Sequence, residues 1–416
     1  MERVRIAGGR RLCGEIEVEG AKNAALPILA ASLLSEGECI IHGVPRLRDI
    51  EVMIEILQHI GAKVVRENKT VSVNAAHIRE VKVPESLMRK MRASNLVMGA
   101  LLGRCGQFEV SFPGGCSIGS RPMDLHLKGF LSLKARVVEE YGFIKGNAAH
   151  LQGACIYLDF PSVGATENLM MAAVRAQGRT VIRNAAREPE IADLQDFLCS
   201  LGARVKGAGS DQIWIEGVSR LGGGEHRVIP DRIEAGTHMV AGAITRGDVL
   251  VKGARKEHLE AVIAKLKEIG VRVKEDTSGI RIAADGEWTA TDIKTMPYPG
   301  FPTDMQPQIT ALLSLARGTS LITETIFENR FKHAEELRRM GANIRIAGRT
   351  AIVQGVKRLT GAQVEASDLR AAAALVLAGL AADGETIIEK IMHLDRGYEN
   401  LERKYAALGA EISRLS

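Results

Sequence analysis

The sequence predicts an α/β protein of two domains, each built from three copies of a βαβαββ-like unit. Two recurring phrases and the chain length support this prediction. In the first phrase, an amphipathic helix ends in an apolar residue and glycine, and an alternating strand follows. This phrase recurs from Gly61 to Gly409 with a period of about 70 residues. Six such units within 416 residues exceed one hydrophobic core, so three and three is the natural grouping.

The second phrase is a helix followed by glycine and a strand, and it is in step with the first along the chain, which makes the repeat secure. Each glycine lies where a left-handed C-cap would end a helix, and the residues after it alternate as in a half-buried strand. The first phrase contains Gly61, Gly142, Gly202, Gly270, Gly341 and Gly409, and the second contains Gly37, Gly106, Gly178, Gly247, Gly318 and Gly384.

The repeat also predicts how the chain is divided between domains. The strands RVRIAGG and GEIEVEG precede the first helix, so we expect both to complete the last repeat and bring the termini into the second domain. The predicted domains are 21–229, and 1–20 together with 230–416, with the crossing near 226–234. By pseudo-symmetry the active site is expected in the cleft between them.

Composition excludes several classes of protein. The longest apolar runs are shorter than the ~20 residues of a membrane-spanning helix, and the first residues lack the apolar block of a signal peptide. Fifty-five basic and fifty acidic residues give too little net charge for a nucleic-acid binder. Six cysteines without a CxxC pair argue against zinc or a disulfide framework. We therefore expect a soluble protein of the reducing cytoplasm.

One repeat is longer than the others by about twelve residues, and the surplus falls in FPGGCSIGSRPMD. Extra loop residues are usually a tolerated surface insertion. Here Cys116 stands between two glycine clusters, which favours a function and predicts an exposed, mobile lid over about residues 112–122.

Cations lie where the helices of the repeat are predicted to begin. Lys22, Arg92 and Arg370 would oppose the helix dipole there, so they indicate a bound anion. Asp304 and Asp368 follow Thr303 and Ser367 and could be ordinary capping residues, an alternative that is as good as function for Asp368.

A second set of cations lies in the loops that enter the second helices. The set consists of Arg48, Arg121, Arg187, Arg255, Arg330 and Arg396. For Arg48, Arg187 and Arg255 we favour inheritance through the repeat, with pairing to a neighbouring carboxylate. Arg121, Arg330 and Arg396 are candidates for bidentate contacts to phosphate or carboxylate. Since no Walker loop, dinucleotide fingerprint or serine-hydrolase motif is present, a small, densely anionic ligand is expected.

Several segments resemble the UDP-N-acetylglucosamine 1-carboxyvinyltransferases, a family of enolpyruvyl transferases. They are GAKNAALPILAASLL, MRAS, PGGCSIGSRPMDLH, FPTDMQPQ and ASDLRAAAALVLAGLAADGET, and the likeness spans essentially the whole chain. The resemblance implies a two-domain inside-out α/β barrel. It also implies transfer of the enolpyruvyl group of phosphoenolpyruvate to the 3-hydroxyl of UDP-N-acetylglucosamine, with release of phosphate, at the first committed step of peptidoglycan synthesis. Neither a metal nor an organic cofactor is implied.

The resemblance also assigns roles to individual residues. Lys22, Arg121 and Arg396 would contact the phosphate of phosphoenolpyruvate, and Asn23 the reacting centre. Cys116 would form the covalent phosphoenolpyruvate adduct and be the target of fosfomycin. Further electrostatic contacts would come from Arg92, Arg330 and Arg370, and sugar-nucleotide contacts from Asp304 and Ile326. Uridine and diphosphate contacts would come from Arg121, Pro122, Met123, Asp124, Leu125, Ser162, Val163 and Gly164. Asp368 matches a family residue whose role stays open.

The residue types suit the chemistry of this reaction. Adding a hydroxyl across the enol double bond needs an acid that protonates C3 and a base that takes the hydroxyl proton. Cys116 can be the acid and Asp304 the base, while the cations position the anions.

Three alternative functions fit the sequence less well. A shikimate-pathway enolpyruvyl transferase would lack the cysteine of this loop, and an RNA 3′-phosphate cyclase would need a histidine motif and a basic face that the chain lacks. A non-catalytic UDP-sugar-binding paralogue that regulates cell-wall supply would have no use for the acid or the base. No nucleic-acid or membrane partner is expected.

Overall fold

The computed structural model describes residues 2–114, 118–119 and 123–415. Over these residues the strands are β1 (Arg3–Ala7), β2 (Cys13–Glu17), β3 (Glu38–His42), β4 (Lys63–Glu67), β5 (Thr70–Asn74), β6 (Lys82–Val83), β7 (Gln107–Ser111), β8 (Arg136–Glu140), β9 (Phe143–Asn147), β10 (Cys155–Tyr157), β11 (Arg179–Arg183), β12 (Arg204–Lys206), β13 (Gln212–Glu216), β14 (Gly224–Arg227), β15 (Asp248–Lys252), β16 (Arg272–Asp276), β17 (Gly279–Ala283), β18 (Ile293–Lys294), β19 (Thr319–Thr323), β20 (Asn343–Ala347), β21 (Thr350–Gln354), β22 (Gln363–Glu365), β23 (Glu385–Glu389) and β24 (Glu411–Leu415).

The α-helices of the same residues are α1 (Lys22–Ala31), α2 (Arg48–Ile60), α3 (Glu85–Met88), α4 (Val97–Cys105), α5 (Asp124–Ser132), α6 (Val163–Ala173), α7 (Pro189–Ser200), α8 (Arg232–Ile244), α9 (Glu260–Ile269), α10 (Gln306–Leu313), α11 (His333–Arg339), α12 (Leu369–Ala381) and α13 (Leu401–Ala407). Short 3-10 turns include Arg92–Leu96, Thr303–Met305 and Ile391–Arg396.

The described residues separate into two compact units. The inserted unit contains the described residues of 20–229 apart from 118–119, and the terminal unit contains 2–19, 118–119 and 230–415. Each unit has its own hydrophobic core.

The repeating element is seen most simply in the third repeat, whose six elements are consecutive. The order β10, α6, β11, α7, β12, β13 gives one parallel pair, β10 with β11, and two antiparallel pairs, β11 with β13 and β13 with β12. Five other four-stranded sheets of the described residues have the same order of pairing. The βαβαββ prediction is therefore confirmed.

The core helices lie inside each unit and the sheets lie outside them. In the inserted unit α1 and α6 are buried along nearly their whole lengths and α4 is buried over residues 97–102. In the terminal unit α8, α10 and α12 are buried along nearly their whole lengths. The strands alternate between buried and exposed residues, so one face of each sheet covers the helices. This is the inside-out α/β arrangement that the resemblance implied.

Glycine follows the second helices α2, α7, α9, α11 and α13 as predicted. Gly61 after α2 and Gly270 after α9 have φ values of 111° and 105°, in the left-handed region that favours glycine.

The prediction for Gly142 was wrong, because α5 ends at Ser132 and Gly142 lies in the turn between β8 and β9, where a left-handed glycine has the same sequence signature. The surplus of about twelve residues, counted to Gly142, was therefore too large. The interval from β7 to α5 is nevertheless the longer one, since it covers 112–123 while that from β3 to α2 covers only 43–47.

The fate of the two N-terminal strands differs from the prediction. Strand β1 lies between β23 and β24 and so completes the last repeat, as expected. Strand β2 does not join that sheet, and our prediction for it was wrong. It pairs in parallel with β15, as the first strand of the repeat that contains α8.

The same exchange occurs at the other crossing of the chain. Strand β14, which precedes α8 in sequence, pairs in parallel with β3 in the sheet of the α1 repeat. In each repeat a first strand pairs in parallel with the second strand. In these two repeats the first strand comes from elsewhere in the chain: β2, which precedes α1, serves the terminal unit, and β14, which precedes α8, serves the inserted unit. A sequence phrase locates a strand but not its partner, because β2 and β14 carry similar alternating patterns.

Candidate active site

In the inserted unit, Lys22 is the first residue of α1 and is held by an acid. Its Nζ lies 3.2 Å from Asp49 Oδ2, and the two side chains are only 10% and 6% exposed. The start of α1 has no side-chain cap and no acid in its first turn. Asp49, near the start of α2, therefore balances an ammonium group that the helix dipole alone would disfavour. Asn23 follows Lys22 and is partly buried.

A second group of the inserted unit surrounds His126. Arg92 donates from Nη2 to the Met123 sulfur at 3.3 Å, and Asn95 Nδ2 lies 3.4 Å from the same sulfur. Gly164 packs so closely here that a Cβ atom on it would lie 3.2 Å from His126 Nε2. Burial, and then the charge of Arg92, lower the pKa of His126 to about 4, so the imidazole is neutral at pH 7.

This group brings together parts of the predicted uridine and diphosphate site. Met123 precedes α5, whose first residues are Asp124 and Leu125. Ser162 caps α6 by accepting a hydrogen bond from the Ala165 N–H. Met123 and Gly164 meet at His126, whereas Asp124 is exposed on the first turn of α5.

In the terminal unit, Asp304 lies between two buried arginines. Arg330 Nη2 donates to Asp304 Oδ1 at 2.8 Å and Arg370 Nη2 donates to Asp304 Oδ2 at 2.9 Å. The arginine side chains are 2% and 5% exposed, while that of Asp304 is 27% exposed. Although burial disfavours the charge of Arg370, the carboxylate of Asp304 raises the pKa of Arg370 above its usual value. Two buried guanidinium groups thus hold a partly exposed carboxylate in place through charge-assisted hydrogen bonds.

Glu324 holds the loops on which this group depends. It is 1% exposed, and its Oε1 accepts hydrogen bonds from the N–H groups of Ile326 and Phe327 at 2.8 and 3.1 Å. Its Oε2 accepts from Thr303 Oγ1 at 2.9 Å. One buried carboxylate therefore joins the turn of Asp304 to the loop of Ile326.

The remaining predicted residues of the terminal unit take simpler positions. Asp368 caps α12, since its Oδ1 accepts from the N–H groups of Arg370 and Ala371 at 3.0 and 3.1 Å. This is the capping role given as its alternative. Arg396 is half-buried at the end of the 3-10 helix Ile391–Arg396.

Three predicted residues, Cys116, Arg121 and Pro122, lie outside the described residues. The arginines that we attributed to inheritance, Arg48, Arg187 and Arg255, are exposed. None of these three pairs with a carboxylate in the part of the chain that the structure describes, so the pairing that we expected for them is not seen.

Sequence reasoning missed several residues that build these groups. Asp49 reads as an ordinary first-turn acid of α2, Glu324 as the end of a strand, and His126 as one histidine of an amphipathic helix. Glu324 stands out only because it is a buried acid, and an acid needs partners when it is buried. The sequence pattern does not show that burial.

Comparison with known proteins places the chain in a class. Residues 6–405 match the family model described as EPSP synthase (3-phosphoshikimate 1-carboxyvinyltransferase). The chain therefore belongs to this enolpyruvyl transferase family. The enolpyruvyl transferase NikO from Streptomyces tendae has the same fold, with a TM-score of 0.89, 24% identity, and coverage of 99% of this chain and 98% of that chain. EPSP synthase from Acinetobacter baumannii has a TM-score of 0.77 and 19% identity, with both chains fully covered.

Curated relatives define the particular branch. UDP-N-acetylglucosamine 1-carboxyvinyltransferase 1 of Carboxydothermus hydrogenoformans is 57% identical over 416 residues, which cover 100% of this chain and 99% of the relative. UDP-N-acetylglucosamine 1-carboxyvinyltransferase of Halothermothrix orenii is 53% identical over 410 residues, covering 99% of each. The family resemblance that the sequence motifs indicated is confirmed.

Proposed function

We propose that this protein transfers the enolpyruvyl group of phosphoenolpyruvate to the 3-hydroxyl of UDP-N-acetylglucosamine and releases phosphate. The reaction is the first committed step of peptidoglycan synthesis. The observation that carries the proposal is the identity of 53% and 57% to curated enzymes of that name over almost the full length of each chain.

Asp304 is the proposed base. It accepts the proton of the 3-hydroxyl as the hydroxyl oxygen forms a bond to C2 of phosphoenolpyruvate. A base must be ionised and must reach solvent or substrate. The charge-assisted hydrogen bonds from Arg330 and Arg370 support the first requirement, and the 27% exposure of Asp304 supports the second.

Cys116 is the proposed acid. It delivers a proton to C3 as C2 is attacked, and it is also the residue that would form the covalent adduct. The resulting tetrahedral ketal then loses a proton from C3 and its C2–O bond to phosphate, which restores the double bond in the product. Support for Cys116 is its place in the PGGCSIGSRP insertion.

The cations complete the proposed site. Lys22, Arg121 and Arg396 would hold the phosphate, with Asn23 near the reacting centre, and such fixed positive charge stabilises the transition state electrostatically. Met123, Asp124, Leu125, Ser162, Val163 and Gly164, with Arg121 and Pro122, would hold uridine and diphosphate. Asp304 and Ile326 would contact the sugar nucleotide, and Arg92, Arg330 and Arg370 would add electrostatic contacts.

The reaction draws on residues of both units, Lys22 in one and Asp304 in the other. We propose 21–229, and 1–20 with 230–416, as the functional domains. Neither a metal nor an organic cofactor enters a step.

We also propose a cytoplasmic location. Free thiols at Cys13, Cys39, Cys105, Cys155 and Cys199 support a reducing compartment. Among the described residues no helix has the length and apolar character needed to cross a bilayer.

The discriminating experiment measures phosphate release from phosphoenolpyruvate with each of two acceptors. We expect release with UDP-N-acetylglucosamine and none with shikimate 3-phosphate. Release with shikimate 3-phosphate alone would establish the shikimate-type alternative, and binding of the UDP-sugar without any release would establish a non-catalytic binder.

A further inference from the structure

A buried polar chain extends from Asp304 into the core of the terminal unit. Arg370 donates from Nη2 to Asp304 and from Nη1 to Tyr398 Oη at 3.2 Å. Tyr398 Oη lies 2.9 Å from Thr237 Oγ1, and Thr237 Oγ1 donates to the Ile233 carbonyl at 2.7 Å. Gln308 Nε2 donates to Thr237 Oγ1 at 3.1 Å. This chain of hydrogen bonds therefore joins α8, α10 and α12, which are the three core helices of this unit.

The donors in this chain can be ordered, because each hydroxyl has one proton. Arg370 can only donate, so the oxygen of Tyr398 accepts its hydrogen bond. Thr237 uses its proton on the Ile233 carbonyl, and so its oxygen accepts the proton of Tyr398. Donation therefore runs from Arg370 to Tyr398, from Tyr398 to Thr237, and from Thr237 to the carbonyl of Ile233. The helix backbone fixes the position of that last acceptor.

Because the hydrogen-bonded groups are buried, they restrict the orientation of the Arg370 guanidinium. Tyr398 is 2% exposed, Arg370 is 4% exposed and Thr237 is 0% exposed, so water is not at hand to replace a lost partner. A guanidinium is planar, and fixing Nη1 on Tyr398 fixes the direction in which Nη2 points. Burial raises the pKa of Tyr398, which keeps its hydroxyl protonated and able to donate at neutral pH.

We propose that Tyr398, supported by Thr237, is a positioning residue for Asp304 and acts on it through Arg370. This inference rests on the proposed function, in which Asp304 is the base. Tyr398 touches neither substrate nor the reacting atoms in this proposal. It holds Arg370 at the angle that keeps Asp304 ionised and oriented. The charged groups that face Arg370 are Asp304 from the 3-10 turn and Asp231 from the N-terminus of α8, with Arg330 on the other carboxylate oxygen.

The test compares Tyr398→Phe with a matched control, Tyr405→Phe. Tyr405 is also a fully buried tyrosine of the terminal unit, but its hydroxyl contacts His238 Nδ1 at 3.2 Å, outside the chain to Asp304. We expect Tyr398→Phe to lower kcat roughly tenfold, as for loss of a hydrogen bond to a charged group, with the KM for UDP-N-acetylglucosamine within about twofold. The acid limb of kcat/KM should move to higher pH, because a less well-placed cation favours the carboxylate less. Tyr405→Phe should leave kcat and this limb unchanged.

A second pair keeps the proposal testable if Tyr398→Phe does not fold. Thr237→Val removes the acceptor of the Tyr398 proton and should reproduce the lower kcat and the pH shift. Thr237→Ser keeps a hydroxyl and should restore both. Unchanged kcat and pH limb in Tyr398→Phe, or equal effects of Thr237→Val and Thr237→Ser, would overturn the proposal.

A titration of Asp304 separates this inference from the proposed function. The carboxyl of Asp304 is followed by carbon-13 NMR, with the variant Asp304→Asn to assign its signal, in wild type and in Tyr398→Phe. A titration midpoint of Asp304 that moves to higher pH in Tyr398→Phe supports the positioning role, even if wild type releases no phosphate. Absence of phosphate release from wild type would contradict only the proposed function. Active wild type with identical midpoints would overturn the positioning role alone.

Discussion

At the scale of single residues, the terminal unit combines one partly exposed carboxylate with two buried cations. Removing a carboxylate between two buried guanidiniums leaves charge without compensation, which costs more than the hydrogen bonds themselves. Asp304→Asn keeps the shape of the side chain and one acceptor oxygen, so it is a better probe of basicity than Asp304→Ala.

We predict that Asp304→Asn abolishes turnover while UDP-N-acetylglucosamine binds within about tenfold of wild type, ~1.4 kcal/mol. The amide cannot take the hydroxyl proton, yet the proposed nucleotide contacts of the inserted unit are left unchanged by this substitution. Calorimetric binding and phosphate release measure the two quantities. Turnover at the wild-type rate would mean that the base lies elsewhere.

A second residue-scale prediction concerns Glu234, which is fully buried. Burial alone would raise its pKa, but His238 and Lys404 outweigh burial and lower the pKa of Glu234 to about 2. Lys404 Nζ lies 2.7 Å from Glu234 Oε1 and 3.2 Å from Glu19 Oε1, so this cluster ties α13 and α8 to the residues that follow β2.

A depressed carboxyl pKa stabilises the folded state above the unfolded value of 4.5, and the stabilisation is lost as pH falls towards 2. The gap between the two pKa values corresponds to a contribution on the order of 3 kcal/mol. We expect Glu234→Gln to be less stable than wild type at pH 6 and the difference to shrink between pH 4.5 and pH 2. Urea unfolding at a series of pH values measures it. A difference that is constant with pH would contradict the ion-pair account.

At the scale of elements, glycines of α4 allow its close approach to α6, and Gly99 makes the tightest of these contacts. A Cβ atom on Gly99 of α4 would lie 2.2 Å from the Asn168 carbonyl oxygen and 2.8 Å from its Cα, on α6. The Gly99 N–H also donates to Asn168 Oδ1 at 2.8 Å. Since Gly164 lies at the start of the same α6, this contact sets where α6 presents its N-terminus.

Gly99→Ala should therefore push α6 away from α4, destabilise the inserted unit by about 1–3 kcal/mol and weaken binding of UDP-N-acetylglucosamine. Gly286→Ala is the matched control, because a Cβ atom there meets nothing within 4 Å. Thermal unfolding and calorimetric binding report the two effects. If both variants melt and bind alike, the close helix contact does not determine the position of α6.

The elements themselves were largely predictable from the sequence. The glycines of the two phrases fixed the period, and Gly61 and Gly270 end their helices as expected. The partner of β2 was not predictable, since a half-buried strand carries the same alternation whichever sheet it joins. The place of Lys22 at the first residue of a helix was predictable, and its role in binding phosphate stays a prediction. The site was not predictable where burial decides, as with Asp49, Glu324 and Tyr398.

At the scale of the whole molecule, neither unit is a continuous piece of chain. β1 and β2 come from the N-terminus and complete sheets of the terminal unit, while β14 is followed directly by α8 of that unit. Near the start of the core helix, different repeats carry different charged residues. Lys22, Arg92, Asp304 and Arg370 occupy such corresponding positions. In the proposed function, residues of several repeats rather than one motif carry the reaction.

The most direct test of that account is mass spectrometry of the product formed from phosphoenolpyruvate and UDP-N-acetylglucosamine in deuterium oxide. Addition of the 3-hydroxyl and an acid proton passes through a methyl carbon, and elimination of phosphate then leaves deuterium in the vinyl group. We expect an enolpyruvyl ether of UDP-N-acetylglucosamine that carries vinylic deuterium, formed in step with phosphate. Phosphate released without that ether, or an ether free of deuterium, would contradict the account.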